Sequence, residues 1–146
     1  MTGRLFILNG PNLNILGRRE PALYGRVTLP EIQKRCQALA GELGFDLFFA
    51  QSNVEGQLID WVHQAYDEQA AVIINPAGLS TTSVALYDAL RMLAEPIVEV
   101  HLTNVFAREP LYRDLRTAAA SWGFLAGFGA GGYELAMRGL AGRRDP

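Results

Sequence analysis

Short apolar runs alternate along the chain with stretches of helical periodicity. The first run, residues 4–8, is closed by the turn formers Asn9-Gly10-Pro11-Asn12. A short run of Val, Ile, Leu and Phe between turn formers is typical of a strand buried on both faces. The same pattern recurs at residues 46–50, 71–74, 97–102 and 123–128. The chain therefore predicts five buried strands.

The segments between these runs carry apolar residues at helical spacing. They are residues 29–43, 55–66, 83–93 and 130–140. The first has Thr28 as N-cap, Pro30 in its first turn and Gly44 as its end signal. Strands alternating with helices predict an α/β fold with a parallel sheet covered on both faces, and we prefer the flavodoxin-like strand order 2-1-3-4-5. We expect one domain over residues 1–146, with residues 142–146 as a frayed tail.

Two long segments break the alternation and are the best places to look for function. Residues 11–27 follow the first strand and contain Arg19 and Tyr24, and residues 104–121 follow the fourth strand and contain Tyr112 and Arg113. Loops of this length in a small domain usually form lids or binding loops. A guanidinium close to a phenol also stabilises the phenolate form.

Composition excludes several function classes. The net charge of −2 disfavours nucleic acid as a partner, because phosphate binding requires a basic surface. Lys34 is the only lysine and lies in a solvated run, which argues against Schiff-base chemistry. The single Cys36 excludes an intramolecular disulfide, and its helical position suggests a core residue. With no apolar run of about 20 residues and no leader pattern at its start, the sequence predicts a soluble cytoplasmic protein with no membrane partner.

Neutral hydrogen-bonding residues follow the first four predicted strands. They are residues 9–12, 51–53, 75–78 and 101–104. Helix capping and turn formation explain any one of them, but the carboxyl ends of parallel strands also meet at one ligand-binding edge. Ser80-Thr81-Thr82-Ser83 would offer free helix N–H groups to a carboxylate. We therefore expect a small polar ligand there.

A metal or nucleotide site is not predicted. His101 ends an apolar strand without a carboxylate pair at ligand spacing, and His63 lies alone in a helix. The chain also has no Gly-rich phosphate-binding motif of the dinucleotide or Walker type. His101 is either a satisfied core histidine or a catalytic one. We expect no metal and no cofactor.

The polar strand ends belong to longer motifs. In chain order these include Leu8-Asn9-Gly10-Pro11-Asn12-Leu13-Asn14, Arg19-Glu20-Pro21, Tyr24-Gly25, Gln51-Ser52-Asn53, Ile74-Asn75-Pro76, Asp88-Ala89-Leu90 and Glu99-Val100-His101-Leu102. In these motifs the chain resembles the type II 3-dehydroquinate dehydratases, from about residue 4 to residue 138. The resemblance implies a flavodoxin-like subunit of a homododecamer, a tetramer of trimers. It also implies a cofactor-free dehydration of 3-dehydroquinate to 3-dehydroshikimate, used in shikimate synthesis or quinate breakdown.

The resemblance also implies roles for individual residues. Tyr24 would be the base, held as phenolate near Arg19, and His101 would protonate the departing hydroxyl. Asn12 would position a water that stabilises the enolate. The substrate carboxylate would be bound by Asn75, Leu102 and Thr103, while Asp88 would reach the site of a neighbouring subunit.

The chain departs from the family pattern at two substrate-binding positions. Thr81 stands where the family has histidine, and Tyr112 stands where it has arginine. Arg113, one residue later, is a possible replacement for the missing cation. Losing such contacts to a buried hydroxyl changes substrate preference by tens- to hundreds-fold, roughly.

Three interpretations of the function are consistent with these departures. The first is a 3-dehydroquinate dehydratase with an altered pocket around the ring hydroxyls. The second is a divergent paralogue that performs the same elimination on a related cyclic hydroxy-keto acid. The third is a noncatalytic binding or assembly homologue. Retention of Arg19 and Tyr24 in a loop argues against the third, because a pure scaffold does not need them.

Overall fold

Five parallel strands form one sheet in the computed structural model, which describes residues 3–144. The strands are β1 Gly3–Asn9, β2 Phe45–Gln51, β3 Ala71–Asn75, β4 Ile97–His101 and β5 Gly123–Ala126. Their order is β2-β1-β3-β4-β5, with every neighbouring pair parallel. The predicted flavodoxin-like architecture is confirmed.

Helices cover both faces of this sheet. They are α1 Pro21–Tyr24, α2 Leu29–Leu43, α3 Glu55–Glu68, α4 Leu79–Thr82, α5 Val84–Leu90 and α6 Gly131–Arg144. Helices α2 and α6 pack together on one face, and α3 and α5 pack together on the other. No helix of residues 3–144 is long and apolar enough to cross a membrane.

The inner strand β1 is apolar at residues 5–8 because both of its faces are covered. Leu5 and Ile7 pack into the core under α2 and α6, whereas Phe6 and Leu8 pack into the core under α3 and α5. All four side chains are fully buried, because successive residues of a strand point to opposite faces of the sheet. Each contributes about 1.5–3 kcal/mol to folding by leaving water.

Helix α2 begins and ends where the sequence predicts. The N–H of Glu31 donates to Thr28 Oγ1, and the chain leaves the helix at Gly44, whose φ of 77° suits glycine. Within this helix Cys36 is buried, as the core interpretation expected. Burial raises the pKa of the Cys36 thiol to about 12, so the thiol is neutral at physiological pH.

The two segments interpreted as irregular contain short helices. Residues 11–27 include α1 and a 3-10 turn at Leu13–Ile15, and residues 104–121 include 3-10 turns at Val105–Ala107, Pro110–Tyr112 and Thr117–Ala120. Helices of three or four residues bury too little apolar surface to leave a periodic pattern.

The other differences from the sequence interpretation are at the ends of elements. The strands expected over residues 97–102 and 123–128 end at His101 and Ala126. The helix expected over residues 83–93 stops at Leu90, and the last helix continues to Arg144. Residues 142–144 of the expected frayed tail are therefore helical, and residues 145–146 lie outside the described residues.

Candidate active site

A cavity of about 250 Å³ opens at the carboxyl ends of β1, β3 and β4. The segment after β1 and the segment after β4 form its walls, and the loop between β3 and α4 closes a third side. At the floor of the cavity the chain after β1 approaches the chain after β3 closely. The N–H of Gly10 donates to the Asn75 carbonyl at 2.8 Å, and a Cβ on Gly10 would lie 2.5 Å from the Pro76 carbonyl oxygen. Only glycine permits this approach of β1 to β3.

The residues expected to carry the chemistry meet in this cavity. Asn12, Arg19, Tyr24 and His101 all line it. Asn12 follows β1, Tyr24 is the last residue of α1, and His101 is the last residue of β4. Side chains separated by up to 89 positions (from 12 to 101) are thus brought to one volume by the parallel arrangement of the strands.

The backbone at Asn12 is held by the polar residues that follow β2. Asn12 adopts a left-handed conformation with φ of 73°, and its N–H donates to Asn53 Oδ1 at 2.9 Å. Gln51 Nε2 donates to the same oxygen at 3.1 Å and to the Gly10 carbonyl at 3.2 Å. The polar residues after β2 therefore brace Asn12 from behind the cavity.

Arginine and tyrosine side chains stack on one another along the cavity wall. The Cζ of Arg19 lies 4.9 Å from the centre of the Tyr24 ring, and the Cζ of Arg108 lies 5.5 Å from the same ring. Arg108 also stacks on Tyr112, with its Cζ 4.0 Å from the ring centre. The Tyr24 ring is thereby in contact with two guanidinium groups.

His101 is held by a buried carboxylate. His101 Nε2 lies 2.8 Å from Glu99 Oε2, and the hydroxyl of Thr117 donates to Glu99 Oε1. Glu99 and Thr117 are both fully buried. With Nε2 engaged by Glu99, Nδ1 is the ring nitrogen left for a ligand, and His101 lines the cavity instead of being enclosed in the core.

Four of the residues expected to bind substrate also line the cavity: Asn75, Leu102, Thr103 and Tyr112. Asn75 is almost completely buried, and its Oδ1 accepts the N–H of Ala77 at 3.1 Å. Leu102 and Thr103 directly follow β4, which places them beside His101.

The remaining three expected residues lie outside the cavity lining. The Thr81 hydroxyl donates to the Gly78 carbonyl at 3.0 Å, and Asp88 is exposed on α5. Arg113 donates from Nε and Nη2 to the Arg108 carbonyl at 3.0 and 2.7 Å, so its guanidinium is turned away from the place considered for it. Arg113 therefore does not replace the missing cation in this structure.

Sequence reasoning overlooked several residues that build the site. Arg108 lies in one of the two long loops and could have been found by its position there, and Ser80 was considered only as part of a capping cluster, although both line the cavity. Glu99 is visible only as an acidic residue inside an apolar strand. No local pattern signals Thr117, because its partner lies 18 positions earlier.

The charge of the cavity wall is positive. Arg19 and Arg108 are the charged side chains among the described lining residues, and the carboxylate of Glu99 is paired with His101. Such a cavity attracts an anionic ligand. Within residues 3–144 no group of three or more His, Cys, Asp and Glu residues is placed to hold a metal ion.

Comparisons with known proteins agree with this geometry over nearly the whole chain. The family model of class II dehydroquinase matches residues 3–141. A 3-dehydroquinate dehydratase of Phenylobacterium zucineum is 47% identical over 142 residues, which are 97% of this chain and 98% of the relative. A second 3-dehydroquinate dehydratase, from Caulobacter vibrioides, is 48% identical over 142 residues and 97% of each chain.

Solved structures show the same relationship. The crystal structure of a type II dehydroquinase from Propionibacterium acnes matches with a TM-score of 0.94 at 42% sequence identity. The match covers 97% of this chain and 98% of that chain. The likeness therefore extends through both the sheet and the two loops that form the cavity.

Proposed function

The chain belongs to the class II dehydroquinase family, and we propose that its cavity dehydrates 3-dehydroquinate through an enolate, with Tyr24 as base and His101 as acid. The family assigns the reaction class, a hydro-lyase that removes water from 3-dehydroquinate. The observation that carries the residue assignment is the meeting of the stacked Arg19–Tyr24–Arg108 group with the Glu99–His101 pair in one cavity.

The first step is removal of a proton next to the ketone. Tyr24 as phenolate takes this proton, and the electrons of the C–H bond form an enolate on the substrate. Arg19 and Arg108 support this assignment because their positive charges lie against the ring of the proposed base. Asn12, whose backbone is braced by Asn53, positions a water that stabilises the enolate oxygen.

The second step is loss of the hydroxyl. The enolate reforms the ketone and expels the hydroxyl as a carbon–carbon double bond forms, while protonated His101 donates a proton so that water leaves. Glu99 orients the ring for this step, because its carboxylate lies 2.8 Å from Nε2. The phenol proton of Tyr24 returns to solvent, His101 takes a proton back from solvent, and the net change is the loss of one water.

The substrate carboxylate binds at the ends of β3 and β4 in this proposal. Asn75, Leu102 and Thr103 line that side of the cavity, and the positive wall attracts the anion. Neither step requires a cofactor, since the ketone itself makes the neighbouring proton acidic.

We further propose that the chain works as a homododecamer, as the resemblance implies. Asp88 is exposed on α5 and absent from its own cavity lining, which fits a role in the site of a neighbouring subunit. Three phenylalanines, Phe106, Phe124 and Phe128, are exposed on and around the edge strand β5, an apolar surface that a second chain could cover.

Turnover of 3-dehydroquinate tests the proposed function directly. The purified protein should form an enone that absorbs in the near ultraviolet, without added cofactor. Tyr24→Phe should lower kcat about 10²- to 10⁴-fold, the usual contribution of a general base. The matched control is Tyr66→Phe, the same change at a half-exposed tyrosine of α3 outside the cavity, which should leave kcat unchanged. A fully active Tyr24→Phe enzyme would disprove the base assignment.

One observation favours a second candidate, a related cyclic hydroxy-keto acid. The wall position expected to carry a cation holds Tyr112, which stacks on Arg108, and neither Arg113 nor Thr81 directs its side chain into the cavity. Folded protein without turnover of 3-dehydroquinate at high enzyme concentration would exclude the first substrate and leave this second substrate class and the noncatalytic homologue.

A further inference from the structure

A buried tyrosine hydroxyl lies behind the cavity wall, outside the set of residues that the reaction uses. Tyr133 is on α6, and its side chain is completely buried. Its hydroxyl lies between Asn9 at the end of β1 and Asn75 at the end of β3, which are opposite each other in the sheet. Phenylalanine would fill the same apolar space, so the hydroxyl must be explained by its two polar neighbours.

Backbone groups fix the direction of each hydrogen bond around this hydroxyl. Asn9 Nδ2 donates to the Ala50 carbonyl at 3.0 Å, so Asn9 Oδ1 faces Tyr133 and accepts its O–H at 2.6 Å. At the other end the Ala77 N–H donates to Asn75 Oδ1 at 3.1 Å, so Asn75 Nδ2 faces Tyr133 and donates to its oxygen at 3.1 Å. Because a carbonyl only accepts and an N–H only donates, neither amide can be flipped without leaving buried groups unpaired.

The tyrosine keeps its proton under all ordinary conditions. Burial raises the pKa of Tyr133 well above that of a free phenol. Its hydroxyl therefore always donates to Asn9 and always accepts from Asn75.

One polar hydrogen of Asn75 is left over. Its Oδ1 and one Nδ2–H are engaged by Ala77 and Tyr133, and the side chain lines the cavity. We propose that Tyr133 is a positioning residue that holds Asn75 with its second N–H directed at the carboxylate of the bound ligand. This inference rests on the proposed function, which assigns Asn75 to that carboxylate. A flipped amide would place an oxygen against the anion and repel it.

Tyr133→Phe removes the hydroxyl and keeps the ring. The Asn75 amide then keeps the bond from the Ala77 N–H but loses the acceptor of one Nδ2–H, so it is held at its oxygen end only. The carboxylate has the same charge in the substrate and in the transition state, so the lost contact is uniform binding, and we expect KM to rise about tenfold with kcat within about twofold. An unchanged KM would overturn the inference.

A double-mutant cycle shows whether the hydroxyl acts through Asn75. Asn75→Ala should raise KM, and adding Tyr133→Phe to Asn75→Ala should change KM by less than about twofold. An equal tenfold rise in both backgrounds would overturn the inference, because the hydroxyl would then act by another route.

Ser83→Ala is the matched control for loss of a buried hydroxyl. Ser83 Oγ accepts the Leu86 N–H at 2.9 Å, and the residue is buried but outside the cavity lining. This variant should lower the melting temperature and leave KM unchanged. A tenfold rise in KM here as well would overturn the inference, since reduced stability alone would then explain the effect of Tyr133→Phe.

Failure of the proposed function can be separated from failure of this inference. Turnover by the unaltered chain decides the first. Crystal structures of the unaltered chain and of Tyr133→Phe decide the second without any turnover, because they show the Asn75 side chain directly. We expect the nitrogen end of the Asn75 amide to be displaced in the variant while Oδ1 stays at Ala77, and an amide that has not moved would overturn the inference.

Discussion

Glu99 is a fully buried carboxylate in the middle of an apolar strand, and both of its oxygens are used. One lies beside His101 Nε2, and the other accepts the hydroxyl of Thr117. Burying a carboxylate without such hydrogen-bonding partners costs several kcal/mol, roughly. The Thr117 hydroxyl therefore has two roles. It pairs one oxygen of the buried Glu99 carboxylate, and it fixes the position of this carboxylate, which orients the proposed acid His101.

Thr117→Val tests both roles of the hydroxyl, since valine has the shape of threonine without the hydroxyl. We expect the free energy of unfolding to fall by about 1–3 kcal/mol, because one carboxylate oxygen of Glu99 is left unpaired. We also expect kcat to fall about tenfold, less than the 10²- to 10⁴-fold expected for complete loss of an acid. Urea denaturation and steady-state kinetics measure the two effects.

Thr117→Ser is the control for this prediction. Serine keeps the hydroxyl and should restore most of kcat, even if the lost methyl lowers stability. Normal kcat and normal stability in Thr117→Val would show that the hydrogen bond from Thr117 neither stabilises the fold nor orients His101 through Glu99.

The turn between β3 and α4 forms one side of the cavity and carries local backbone strain. Ala77 has a φ of 53°, in the left-handed region where a Cβ is crowded by about 1–2 kcal/mol. The next residue, Gly78, has a φ of −63° and open space around the position of a Cβ. The chain thus has alanine where glycine would fit and glycine where alanine would fit.

Exchanging the two residues should stabilise the protein. Ala77→Gly combined with Gly78→Ala leaves the composition unchanged, so the entropy of the unfolded chain is nearly the same in both proteins. The remaining effect is relief of strain, which should raise the free energy of unfolding by about 1–2 kcal/mol.

Urea denaturation measures the difference. Gly78→Ala alone is the control and should give a smaller gain of about 0.4–1 kcal/mol, from the unfolded state only. Equal or lower stability of the exchanged protein would show that the turn is not strained at Ala77.

An exposed apolar surface at one edge of the sheet favours the proposed assembly of several chains. The edge strand β5 and its surroundings expose Phe106, Phe124 and Phe128, with the rings of Phe106 and Phe124 6.2 Å apart. Exposed apolar groups of this kind are normally covered by a partner. In a symmetric assembly each chain would offer the same surfaces, so Asp88 of one chain and Tyr24 of another can belong to one site.

Mixed assemblies test whether sites are shared. Asp88→Asn and Tyr24→Phe should each be nearly inactive alone, since every site then lacks one group. After unfolding and refolding together in equal amounts, a site needs its own Tyr24 and the neighbour's Asp88, so about a quarter of the sites should be intact in a random symmetric mixture. Turnover of 3-dehydroquinate measures the recovery.

Sedimentation velocity provides the physical control, because the unaltered protein should sediment as twelve copies of the chain. Mixed assemblies that stay inactive although they sediment as dodecamers would show that Asp88 is not shared between subunits.

The five buried strands could be predicted from the residues themselves, whereas the strand order is a preferred topology and the roles of the site residues come from the resemblance to the family. Apolar runs such as residues 5–8 predict buried strands because burial on both faces leaves no polar position. Parallel strands bring their carboxyl ends to one edge, which predicts that residues at or after strand ends, such as Asn12 and His101, lie together. These inferences depend on local patterns and on a rule of topology, and they need no side-chain coordinates.

The partners behind the site could not be read in this way. Tyr133 meets Asn75 across 58 positions, Thr117 meets Glu99 across 18, and Arg113 turns to the Arg108 carbonyl rather than into the cavity. Each of these contacts depends on how helices and loops pack against the finished sheet. A hydrogen bond requires donor and acceptor within a few tenths of an ångström, and only the packed chain fixes positions that closely.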